Sequence, residues 1–129
     1  MNRKSEMLAR AGQQLINSGF YTESIHCWYY SVLQMMKYAL ANSTNRSLTY
    51  SNQESKGKQS VGFSHDWLKF EICNRITNSR IKNVFEEDFS VLKEERVSAD
   101  YKLKVFSQIE AVTCRETSER MLAALRYII

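Results

Sequence analysis

The chain has 129 residues, 43% of them hydrophobic and 25% charged, a balance that excludes a largely disordered protein and suits one folded domain over 1–129. A formal net charge of +4 and a pI near 9.0 permit contact with phosphates but fall short of a dedicated basic arm. No apolar run has the length of a signal-peptide core or a membrane span, so a cytoplasmic protein with no membrane partner is expected.

Proline is absent, and the four glycines (Gly12, Gly19, Gly57, Gly62) fall at or near the ends of periodic segments, which favours helices. The spacing predicts a first helix from about Ser5 to Asn17, with Leu8, Ala11 and Leu15 on one face, a stop at Ser18-Gly19 and a solvated basic end at Arg3, Lys4 and Arg10. A second helix carries Ile25, Trp28, Tyr29, Val32, Leu33, Met36, Ala39 and Leu40, with Thr22 as its expected N-cap. His26, Tyr30, Leu33 and Lys37 form a line beside that stripe, so this helix should be central.

Residues 42–63 are rich in Ser, Asn, Thr, Gln, Lys and Gly and read as one long, mildly basic loop. Ser64 should cap a third helix bearing Trp67, Leu68, Phe70, Ile72, Cys73 and Ile76 and ending near Asn78-Ser79. A fourth, from about Lys82 to Tyr101, follows the stripe Ile81, Phe85, Phe89, Leu92, Arg96 and Ala99, with Glu86, Glu87 and Lys93 to Glu95 facing water. The last begins at Ser107-Gln108-Ile109-Glu110, which has the spacing of a capping box, and runs to the C-terminus on Ala111, Cys114, Ser118, Leu122, Leu125 and Ile129. No strand alternation or internal repeat appears. The pattern describes an all-α, up-and-down bundle of four to five helices.

Arg96 breaks the pattern, because a fixed charge on a core-facing stripe needs a partner. Asp100, one turn on, is the nearest, although acid after base is the weaker order for such a pair. Two readings of Arg96, Asp100 and Tyr101 stand: a buried ion pair closed by the tyrosine hydroxyl, or a cleft in which Arg96 grips a phosphate or carboxylate. His65, early in the third helix beside Asp66, could move a proton or hold a phosphate, or be a surface histidine. Tyr30 and Tyr29 could stack on bases or serve the core. No metal site or cofactor is expected: C-x-x-C, H-E-x-x-H and glycine-rich phosphate loops are all missing. Cys27, Cys73 and Cys114 read as reduced, packed thiols.

Three elements together resemble the HEPN family, helical domains named for nucleotide binding in prokaryotes and higher eukaryotes. They are Phe20-Tyr21-x-x-Ser24-Ile25-His26-x-x-Tyr29-Tyr30, the Ser64-His65 pair, and Arg96-Val97-Ser98-Ala99-Asp100-Tyr101. The resemblance covers nearly the whole chain and is closest to small stand-alone bacterial and archaeal members. It implies a homodimer, often encoded beside a nucleotidyltransferase in toxin–antitoxin or defence systems. Several members are metal-independent ribonucleases using Arg followed four to six residues on by His; here positions 19–21 read Gly-Phe-Tyr and 58–60 read Lys-Gln-Ser, so neither histidine has that arginine. The expectation is therefore a non-catalytic module binding a nucleotide, an RNA or a partner protein near Arg96, Asp100, Tyr101, His65 and Tyr30. A ribonuclease or nucleotide-processing enzyme assembled across a dimer, and a purely structural interaction partner, are the alternatives.

Overall fold

The computed structural model describes residues 2–59 and 64–129. They form six helices: α1 (Arg3–Asn17), α2 (Tyr21–Ala41), α3 (Tyr50–Gln59), α4 (Ser64–Cys73), α5 (Ser79–Tyr101) and α6 (Gln108–Leu125), closed by a 3₁₀ turn at Arg126–Ile128. No strand occurs among the described residues, and none of their helices is long and apolar enough to cross a membrane. The chain is an all-α bundle.

Four long helices make the frame. Ser5 of α1 meets Ser31 of α2 through buried hydroxyls, and Gly12 lies under Trp28, so α1 and α2 run antiparallel. Their turn is a Schellman motif: Gly19 takes φ 81°, its N–H reaches Ile16 O at 3.0 Å, and Phe20 N–H reaches Leu15 O at 2.8 Å. α5 returns antiparallel along α2, with Asp100 beside His26 and Phe89 against Tyr29. α6 runs antiparallel to α5 and parallel to α2, since Phe106 N–H donates to Thr22 Oγ1 (2.9 Å) at one end while Thr44 N–H donates to Ile128 O (3.0 Å) at the other. α2 is central as expected, burying Ile25, Trp28, Tyr29, Val32, Leu33, Met36, Ala39 and Leu40.

Several boundaries differ from the sequence reading. α1 begins earlier, capped by Asn2, and buries Ser5, Gly12 and Ile16 rather than Leu8, Ala11 and Leu15. Small residues let α1 approach α2 closely, which rotates the larger side chains to its flanks. Thr22 is not a cap: α2 starts after Phe20 without a side-chain cap, and the threonine hydroxyl instead receives the Phe106 amide. The 42–63 stretch is not a continuous loop, because 50–59 form α3. Thr49 Oγ1 accepts from Asn52 N at 3.2 Å, as a capping hydroxyl does. The part of that stretch at 60–63 and the cap expected from the Ser64 side chain lie outside the described residues.

α4 ends at Cys73, five residues short of expectation, and Phe70 is exposed. Arg75 explains the early stop. Its buried guanidinium donates to Asn45 O (3.1 Å), Arg46 O (2.6 Å), Glu71 O (2.7 Å) and Glu71 Oε2 (2.7 Å), so the chain must leave the helix to clasp the α2–α3 connection. α5 starts at Ser79, capped by Asn78, and its stripe is buried at Phe85, Phe89 and Leu92. Asp88, beside that stripe, is buried too and accepts from Arg120 at 2.8 and 2.9 Å, tying α5 to α6. The Ser107–Glu110 capping box forms in both directions, and all three cysteines are free and buried.

Candidate functional site

Arg96 projects from α5 toward two adjacent tyrosines of α2. Its guanidinium carbon lies 5.0 Å from the Tyr29 ring centre, 5.6 Å from Tyr30 and 5.8 Å from Tyr101. These are cation–π distances. The side chain is only 11% exposed and meets Asp100 through one contact of 3.6 Å, while Nε finds no acceptor among the described residues. The fork is thus held mainly by aromatic faces rather than by a bidentate carboxylate. Burial acts most strongly against its charge, but Tyr30, Tyr29, Asp100 and Tyr101 together outweigh burial and hold the pKa above the ordinary arginine value.

Asp100 also faces His26, whose Nδ1 lies 3.3 Å from Oδ2, and the His26 ring stacks on Tyr30 with centroids 4.5 Å apart. Tyr101 is 75% exposed, a lid over the guanidinium rather than part of the core. On the other side of Tyr29, its hydroxyl lies 2.9 Å from His65 Nδ1. Burial pushes the Tyr29 phenol up to about 12, so it stays protonated at neutral pH. Burial, followed by the charges of Arg96, Lys37 and Lys93, lowers the His65 pKa below the usual imidazole value and keeps the ring neutral. Asp66, the next residue, is engaged by Lys93 at 2.8 Å, which ties α4 to α5.

The expected residues are therefore neighbours. Arg96, Asp100, Tyr101 and Tyr30 form one aromatic cage, and His65 joins it through Tyr29. The open space lies elsewhere. A cavity of about 610 Å³ sits between the N-terminal turn of α1, the middle of α2, α3 and the start of α4, and of the five expected residues only His65 lines it. Among the described residues its cations are Arg3, Lys4, Lys37 and Lys58, and its carboxylate is Glu54. Lys58 is spoken for by Glu54 at 3.2 Å, whereas Arg3, Lys4 and Lys37 make no ion pair among the described residues. Tyr50 and Trp67 add aromatic surface. Lys37 was within reach of sequence reasoning, since it continues the His26–Tyr30–Leu33 line; Arg3 and Lys4 looked merely solvated because nothing local shows what packs opposite them. No cluster of three or more His, Cys, Asp or Glu among the described residues could hold a metal ion.

The chain matches no family model, no curated protein and no solved structure.

Proposed function

We propose that the chain is a non-catalytic, HEPN-type binding module whose ligand is a nucleotide seated in the basic cavity. The observation that carries this reading is the charge of that space: among the described residues Arg3, Lys4 and Lys37 line about 610 Å³ without an ion-pair partner, while Glu54 in the same lining is engaged by Lys58. Like charges around one concave volume raise its potential, and a phosphate relieves it. The first turn of α1 adds the positive end of a helix dipole at the same rim. Tyr50 and Trp67 offer ring faces on which a base can stack, and the volume falls in the range of small-ligand sites. The resemblance in sequence to HEPN domains favours a nucleotide over other anions.

Titration of the protein with AMP, ADP and ATP, followed by calorimetry and by tryptophan fluorescence, tests the reading. Lys37→Ala should weaken binding about tenfold, the loss of roughly 1.4 kcal/mol of a charge-assisted contact, without lowering the melting temperature. Absence of binding at millimolar nucleotide, or full binding by Lys37→Ala, refutes it. A second reading, nucleotide processing, rests on His65, a neutral imidazole that lines the cavity and bonds Tyr29. Turnover of bound nucleotide that His65→Asn abolishes would favour it.

A further inference from the structure

We infer that Gln53 is the positioning residue of this cavity, a latch that docks α3 against α2 so that ligand binding and α3 docking become one event; the inference rests on the nucleotide reading above. α3 is an unusual wall. Its sequence, Tyr50-Ser51-Asn52-Gln53-Glu54-Ser55-Lys56-Gly57-Lys58-Gln59, has no apolar stripe, and its one apolar side chain, Tyr50, is about half exposed. Ser, Asn and Gly are weak helix formers, and a ten-residue helix of this composition is marginal on its own. The Glu54–Lys58 pair is exposed and adds little. Something else must hold α3 in place.

Gly57 is buried where α3 packs, and Gln53 supplies the tie to α2. The glutamine is 7% exposed, and its Nε2 donates to Lys37 O at 3.0 Å and to Leu48 O at 2.8 Å, bridging α3 to α2 and to the connection between them. Both neighbours are carbonyls, so only the amide nitrogen can face them and the orientation of the group is fixed. Oε1 is buried and accepts no hydrogen bond among the described residues. A latch with two bonds made and one acceptor stranded is weaker than a fully satisfied one. α3 therefore belongs to the low-stability end of the fold, where local opening is easy.

The same residue belongs to the cavity lining, to which α3 also brings Tyr50 and Lys58 while α2 brings Lys37 and α1 Arg3. Undocking α3 removes one wall; an anion held by both walls stabilises the docked form by its differential affinity for it. Lys37 is joined to this coupling twice, through its carbonyl to the latch and through its side chain to the cavity.

The experiment is amide hydrogen exchange on the full chain, wild type and Gln53→Leu, with and without ADP, together with ADP affinities. Without ligand, Gln53→Leu should speed exchange across 50–59 at least tenfold while the amides of α2 and α6 keep their protection. ADP should slow exchange across 50–59 in the wild type, and Gln53→Leu should weaken ADP binding at least tenfold although the substitution removes no charge. Unchanged exchange at 50–59 in ligand-free Gln53→Leu overturns the latch, whatever the ligand. Faster exchange with undiminished ADP affinity overturns the coupling and leaves the nucleotide reading standing. No ADP binding by the wild type, with exchange at 50–59 still raised by Gln53→Leu, refutes the nucleotide reading and reduces Gln53 to a purely structural tie, which also overturns the positioning role.

Discussion

Replacing Arg96 with methionine keeps most of the volume of the side chain and deletes its charge. Tyr29 is buried, so its ring contributes about 2 kcal/mol to a desolvated cation, while half-buried Tyr30 and exposed Tyr101 contribute about 0.5 each. The single 3.6 Å contact with Asp100 adds about 0.5 kcal/mol. Against these stands the cost of withholding water from a guanidinium whose Nε has no acceptor among the described residues, about 1–3 kcal/mol. Arg96→Met should therefore destabilise by only about 1–2 kcal/mol, since an apolar group of similar length removes the penalty together with the attraction. Arg96→Ala loses roughly two more buried methylenes and should cost about 3 kcal/mol. Urea unfolding measures both. ADP binding should survive Arg96→Met, because Arg96 does not line the cavity. An equal cost for methionine and alanine would make the charge rather than the stem the stabilising part, and loss of ADP binding in Arg96→Met would return the ligand to the tyrosine cage.

Gly12→Ala is a second test: a Cβ there would lie 2.9 Å from Trp28 Cζ2 and 3.0 Å from Cε2 and Cη2. The helix-propensity gain of about 1 kcal/mol is outweighed by about 2 kcal/mol of overpacking against a rigid indole, so the melting temperature should fall by roughly 3–5 °C. A rise would mean that α1 shifts freely on α2. Acid should weaken the fold through His65. Its pKa is lower folded than unfolded, so its contribution is complete above the unfolded value of about 6.5, declines as pH falls through that value, and levels off below the folded pKa. His65→Asn should flatten this slope in unfolding experiments between pH 7 and 5, and an unchanged slope would place the titrating group elsewhere.

Much of the frame was legible because its signals are local. The stripes of α2 and α5, the Gly19 stop and the Ser107 capping box are written in adjacent residues, and the charge on the α5 stripe singles out Arg96. What escaped was everything fixed by distant partners. α3 has no hydrophobic period, and its tie to α2 is a glutamine amide that no spacing announces; α4 stops early because Arg75 reaches carbonyls 29 and 30 positions back. Thr22 carries the right chemistry for a cap but meets an amide 84 residues away. The cavity draws on four helices, so no spacing along the chain announces it.

The parallel pairing of α2 and α6 has a kinetic consequence. α1 and α2 join through contacts 26 residues apart, a short loop that closes early, whereas α2 and α6 join at Thr22–Phe106 only after the whole intervening chain has been gathered. The α1–α2 hairpin can form while the chain is still incomplete, exposing the face of α2 that α6 later covers. The α2–α6 contact is thus the one that costs most loop closure, and it should form late.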